Sequence, residues 1–290
     1  MKRTYVDRDP GVLRPWLAND GALIRLRLVG GALRADSLRR VAKISADLAD
    51  TNIYLTSRAN LQLRGIDHVD GCVPAELIQR IAQTGLLPSP SHELVRNIIV
   101  SPLTGRIGGR ADLRDIARSL DELLCADPAL ARLPGIFWFS LDDGRGDVAD
   151  RSLDLGLFAL DADTAQIRVG SQLWDSTVAL ADAPAAVLEL ARRFLEVRGT
   201  GNTALWHIDE LPGKGVELLD HSYERDERTL TTSGPPTFGK IGQDDGREAL
   251  HMDVPDGTLT PELAAHMAGL GPELIVTPWR SIIVPDLEPA

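Results

Sequence analysis

A cation and two amides stand at alternate positions in the segment Thr56-Ser57-Arg58-Ala59-Asn60-Leu61-Gln62-Leu63-Arg64-Gly65, where a buried strand would carry aliphatics. Read as a strand, its side chains alternate faces, so Arg58, Asn60 and Gln62 share one face while Leu61 and Leu63 share the other. A guanidinium fork flanked by amide donors suits an anionic, hydrogen-bonding ligand such as a carboxylate. The same residues on an edge strand would equally make an ordinary solvated face, and the pattern alone leaves both readings open. A second segment, Val95-Arg96-Asn97-Ile98-Ile99-Val100-Ser101-Pro102, again sets an Arg-Asn pair against an aliphatic run and shifts the balance towards binding.

These two segments resemble the sirohaem-dependent sulfite and nitrite reductases. Thr56, Arg58 and Gln62 match that family's T-x-R-x-x-x-Q, and Arg96-Asn97 matches the R-N of its following strand. The wording L-Q-L-R-G, G-L-L-P-S-P and V-R-N-I-I-V-S-P-L-T-G, with Val276-Thr277-Pro278-Trp279-Arg280-Ser281 near the C-terminus, is most similar to the precorrin-3B synthase branch. That branch belongs to aerobic cobalamin biosynthesis and acts on a tetrapyrrole with dioxygen. The resemblance runs from about residue 21 to about 284 and is weak between 105 and 210. It implies that Arg58, Asn60, Gln62, Arg96 and Asn97 hold the carboxylates of sirohaem or a related tetrapyrrole.

Three departures limit what carries over. The family continues past its second such strand into a domain with four cluster-binding cysteines, whereas this sequence ends shortly after Val284 and holds two cysteines in all. It therefore reads as shortened before the cysteine domain, and no iron–sulfur cluster is expected. The family's anion-binding lysines fall where this chain has Ile136 and Trp138, which supply neither charge nor protons to a bound oxyanion. Sulfite or nitrite reduction is disfavoured on both grounds. In the C-terminal segment Trp279, Ser281 and Ile283 replace Arg58, Asn60 and Gln62, a face suited either to stacking on a macrocycle or to plain core packing.

Other candidate chemistry is thin. His251 and Asp253 on a predicted strand resemble half of a facial iron triad that His221 or His266 would complete, a pattern common by accident. His92-Glu93 precedes the Arg96 strand and either lines a cleft or serves the structure. Asp142-Asp143-Gly144-Arg145-Gly146-Asp147 reads as a turn, since no EF-hand spacing follows. Cys72 and Cys125 read as unpaired buried thiols.

The formal charge of −11 over 290 residues argues against nucleic acid or an anionic membrane as a partner. No apolar run approaches the ~20 residues that span a bilayer, and no leader pattern opens the chain, so a cytoplasmic location is expected. Strand, Gly30-Gly31 turn, helix over 35–48, strand over 53–65 and helix over 74–83 make one β-α-β-α unit. A strand over 247–254, a turn at Asp256-Gly257, a helix over 260–268 and a strand over 274–284 repeat it. Between them lie helices over 113–125 and 185–197 and strands over 137–141 and 153–169. The expected fold is α+β, with two ferredoxin-like half-domains related by pseudo-twofold symmetry around a mixed α/β middle domain. The boundaries fall at 15–85, 86–232 and 233–290. The resemblance then implies a precorrin-3B-synthase-like protein of the oxidoreductase family with a polycarboxylate tetrapyrrole expected in the cleft between the first repeat and the middle domain. The competing reading is a non-catalytic tetrapyrrole-binding or scaffold protein that pairs with a cysteine-bearing partner chain.

Overall fold

Alternation of Ala22, Ile24 and Leu26 with half-buried residues gives the first long strand one core face, and the remaining elements follow from similar patterns. The computed structural model describes residues 7, 9–151 and 153–289. From the N-terminus these form β1 (Trp16–Ala18), β2 (Gly21–Leu26), β3 (Ala32–Arg34), α1 (Ala35–Leu48), β4 (Ile53–Leu55), β5 (Leu61–Ile66) and α2 (Ala75–Gln83). The middle stretch supplies β6 (Ile98–Val100), α3 (Arg114–Ala126), β7 (Phe139–Asp142), β8 (Leu155–Ala159), β9 (Thr164–Val169), β10 (Leu173–Ala179) and α4 (Ala183–Val197). The C-terminal stretch supplies β11 (Gly239–Gly242), β12 (Glu248–Met252), β13 (Thr258–Leu259), α5 (Pro261–Leu270), β14 (Glu273–Val276) and β15 (Ile282–Leu287).

Two compact units result. One combines residues 9–93 with 235–289, and the other spans the described residues of 94–234. The discontinuous unit holds two five-stranded sheets, β1-β2-β5-β4-β13 and β11-β12-β15-β14-β3. Element for element the two orders are the same, so the expected repeat is present. Each half also lends its short third strand to the other: β3 pairs with β14 and β13 with β4, both antiparallel. The exchange needs glycine. Gly31 has φ +73, and a Cβ there would stand 2.0 Å from the Val276 carbonyl oxygen. Leu38, Val41 and Ile44 give α1 its buried stripe, and Leu33, Leu61, Leu63, Met267, Ile282 and Val284 join the same core.

The other unit is a single sheet, β10-β9-β8-β7-β6, parallel across β6-β7-β8 and antiparallel beyond. β8 is buried along its whole length, as a central strand should be. Phe137, Phe139 and Phe194 meet edge-on or tilted in this core. No helix among the described residues is long and apolar enough to cross a membrane.

One expected element is corrected. Residues 53–65 are not one strand but the antiparallel hairpin β4–β5, turning at Thr56–Asn60. The Thr56 amide donates to the Asn60 carbonyl at 3.0 Å, the Thr56 hydroxyl accepts from the amides of Arg58 and Asn60, and Ala59 takes φ +56. Residues 274–284 divide in the same way: Thr277 accepts from the amides of Trp279 and Ser281, and Arg280 takes φ +60. A threonine hydroxyl thus does the work expected of glycine or proline at a turn.

Candidate functional site

The hairpin correction moves Arg58 off the sheet and into a loop, where it joins cations that the strand pattern did not connect with it. Arg25 on β2 and Arg27 just beyond it point the same way along the strand, opposite Ile24, Leu26 and Leu28. All three guanidinium groups reach one carboxylate, that of Asp9: Arg25 Nη1 at 2.5 Å, Arg27 Nη2 at 2.5 Å and Arg58 Nη1 at 3.1 Å. Arg27 also donates to the Pro10 carbonyl, and Arg14 donates to the Asp9 carbonyl. Burial pulls the Arg27 guanidinium down to about 10, a tendency that Asp9 opposes; the group still carries its charge at neutral pH.

The site keeps donors to spare. Arg25 Nε and Asn60 Nδ2 are buried with no hydrogen-bond partner, an arrangement that costs free energy until an acceptor arrives. Asn60 is otherwise committed, its Oδ1 accepting from the Leu28 amide at 2.9 Å. Gln62 is half-buried and lies directly across from Arg25 on one side and Tyr54 on the other. Glu93 is drawn in as well, accepting from the amides of Val12 at 2.6 Å and Leu13 at 2.9 Å. Burial raises its carboxyl above the usual range, and those two amides oppose the rise.

Corresponding positions in the second half carry different chemistry. Cross-strand register makes His251 the counterpart of Arg25, Asp253 of Arg27, Trp279 of Arg58, Ser281 of Asn60 and Ile283 of Gln62. His251 Nδ1 lies 3.1–3.2 Å from the Pro236 and Thr237 carbonyls, so it carries the proton, and Nε2 accepts from the Ser281 hydroxyl at 2.7 Å. Burial lowers the His251 pKa, in keeping with a neutral ring. His251 is buried with both ring nitrogens engaged, Asp253 lies exposed past the end of β12, and among the described residues neither belongs to a group placed to hold a metal ion, so the iron-triad expectation fails. Trp279 is half-buried at the tip of its hairpin.

Arg96 and Asn97 belong to the other unit. Arg96 holds Asp121 of α3 in a two-bond fork, Nε at 2.6 Å and Nη2 at 2.7 Å. Asn97 Nδ2 donates to the carbonyls of Leu94, Gly135 and Phe137. The structure therefore brings Arg58, Asn60 and Gln62 together within one hairpin, and places Arg96-Asn97 and Trp279 on separate elements.

Among the described residues one group has the composition of a cation site: Asp142, Asp143 and Asp147, with oxygens within 4.8 Å of one another. Most of its ligand atoms are already engaged, Asp147 Oδ2 being the exception. Asp142 accepts from the amides of Gly144, Gly146 and Val148, and Arg145 forks onto Asp143. This is the turn expected from sequence. Cys72 is exposed beside the Val69–Cys72 bridge, contrary to the buried thiol expected, because it lies in a loop; Cys125 is half-buried.

Sequence reasoning missed Arg25, Arg27 and Asp9. The alternation of Arg25 and Arg27 with leucines was a usable signal, whereas nothing local marks Asp9 as their partner.

Comparison with known proteins places this arrangement. The solved structure of the Mycobacterium tuberculosis NirA protein superposes over 97% of this chain and 59% of its own, with a TM-score of 0.67 at 17% identity, which shows a shared fold. A ferredoxin–nitrite reductase from Leptolyngbya laminosa is 31% identical over 122 residues, covering 40% of this chain and 23% of the relative. The chain thus spans about three fifths of the one protein and about a quarter of the other. Residues 18–70 match the family model of the nitrite/sulfite reductase ferredoxin-like half domain, and that span includes Arg25, Arg27, Arg58, Asn60 and Gln62. The arginine site accordingly lies within the segment that matches this half-domain model.

Proposed function

We propose that this chain is a precorrin-3B-synthase-like member of the oxidoreductase family that binds a polycarboxylate tetrapyrrole through its first half-domain. The observation that carries this reading is the convergence of Arg25, Arg27 and Arg58 on a single carboxylate, beside two buried donors that lack acceptors. In a chain of formal charge −11, such a concentration of cations is a local device for an anionic ligand. Guanidinium forks match carboxylates in shape and charge, and a macrocycle bearing several carboxylates engages more than one fork at once. Asn60 and Gln62 add neutral donors that fix orientation. Trp279, the counterpart of Arg58, offers a ring to the macrocycle face. Arg96 and Asn97 serve their own unit in this reading through Asp121 and the carbonyls they bracket. The macrocycle supplies the redox chemistry when bound; the residues of this chain bind it, orient it and keep its carboxylates from water.

Fluorescence titration with uroporphyrin, and with the less carboxylated protoporphyrin, tests the assignment. Wild-type protein should prefer uroporphyrin. A charge-assisted bond contributes about 1.5–3 kcal/mol, so Arg25→Ala and Arg58→Ala should each weaken binding roughly tenfold or more. Equal binding by wild type and both variants would show the arginines to be structural and would overturn the site.

A further inference from the structure

The anion already seated in the arginine site belongs to the protein, and the segment that delivers it is held like a strap. Asp9 contributes the carboxylate. Pro10 gives its carbonyl to Arg27, the Gly11 amide closes a turn onto the Arg14 carbonyl at 2.9 Å, and the Glu93 carboxylate gathers the amides of Val12 and Leu13. Nothing in this run is regular secondary structure, so its position depends on those few polar contacts together with the burial of Val12 against the core. A carboxylate so placed matches in charge and shape the group the site is proposed to bind, and two acids cannot both take the same guanidinium edges.

We infer that Asp9 is a built-in competitor. It holds Arg25, Arg27 and Arg58 in register when no ligand is present and is displaced, with residues 9–13, when a ligand carboxylate enters. This inference rests on the polycarboxylate-binding reading and adds regulation to it. The strap explains how three buried or half-buried cations coexist without a ligand, since one shared carboxylate offsets part of their mutual repulsion. It also sets a threshold: apparent affinity is the intrinsic affinity reduced by the fraction of time the strap is open. A ligand with one carboxylate only exchanges one acid for another. A ligand with several gains contacts that Asp9 does not supply, so the strap selects for polycarboxylates.

The test uses the full chain and uroporphyrin as probe. Asp9→Asn removes the competing charge and should tighten binding about tenfold. Pro10→Gly loosens the strap without changing any charge and should tighten it in the same direction. In wild-type protein, amide hydrogen exchange at Val12 and Leu13 should accelerate when uroporphyrin is added, because displacement frees those amides from Glu93. If Asp9→Asn fails to fold, Pro10→Gly and the exchange measurement decide the matter. Should wild type bind while Asp9→Asn binds no tighter, or should exchange at Val12 and Leu13 slow, Asp9 is a fixed part of the site and the inference falls with the binding reading intact. If neither wild type nor the variants bind, both fall.

Discussion

Replacing Asp147 with asparagine should make the protein more stable above neutral pH, an uncommon outcome for a buried polar position. Asp147 lies in the loop after β7. Its Oδ1 accepts from the Ser101 hydroxyl at 2.6 Å, while Oδ2 is buried without a hydrogen-bond partner and has Arg145 Nε only at 3.8 Å. Burial, reinforced by the neighbouring charge of Asp142, pushes its carboxyl up to about 7 from the ordinary 3.8. Between those two values the folded protein keeps a proton that the unfolded chain has released. The folded state therefore binds more protons, and stability falls as pH rises through that window and levels off above about 7. The window spans about three pH units at ~1.4 kcal/mol each, so ionising Asp147 costs the fold up to roughly 4 kcal/mol. Asparagine keeps the acceptor for Ser101 and removes the charge. Urea unfolding followed by tryptophan fluorescence, at pH 5 and pH 8, measures the difference. Wild type should lose about 3 kcal/mol more than Asp147→Asn between the two conditions, since about two pH units of the window lie above pH 5, and the variant should be the more stable at pH 8. Equal losses, or a variant less stable at pH 8, would refute the argument that burial holds Asp147 protonated.

Two further outcomes follow from packing. Arg96→Ala leaves Asp121 without its fork and should cost about 3 kcal/mol in thermal unfolding; Arg96→Lys should recover only part of this, because an ammonium does not fork. Gly31→Ala drives a methyl group into the Val276 carbonyl and should destabilise the protein by about 3 kcal/mol or more, read from its unfolding midpoint. Gly108→Ala, where a Cβ meets nothing within 4 Å, is the control for the backbone strain of a positive φ alone.

Much of the architecture was legible because it is written in short-range periodicity. The 3.6-residue spacing of Leu38, Val41 and Ile44 announced α1 over the very residues it occupies, and Gly85 and Gly199 marked the stops after α2 and α4. The duplication was legible because both halves place a glycine before the exchanged strand and a threonine at the hairpin. The hairpin itself was hidden. Thr56–Asn60 contains no glycine or proline, and its left-handed residue is an alanine held there by a threonine side chain. With the turn missed, Arg58 was assigned to a sheet face instead of a loop that reaches Asp9. The composition of the site depended on residues 16 to 49 positions apart meeting in space, and no periodicity encodes that. The fork of Arg96 on Asp121 is equally long-range, and nothing in the aliphatic run beside it announced that partner.

The exchange of β3 and β13 also has a consequence for how the chain is made. As the ribosome releases the protein from its N-terminus, β4 appears early, but the strand that covers its outer edge, Thr258–Leu259, emerges about 200 residues later. At translation speeds of roughly 5–20 residues per second, that is a wait on the order of 10–40 s. During it the first half-domain presents an unpaired edge, the kind of surface on which nascent chains pair with one another. The segment 94–234, which needs no strand from outside itself, is free to fold in the interval. The first half-domain closes last, once the C-terminal half arrives. Slowing translation late in the message should therefore burden the N-terminal half of this protein more than the residues being added at that moment.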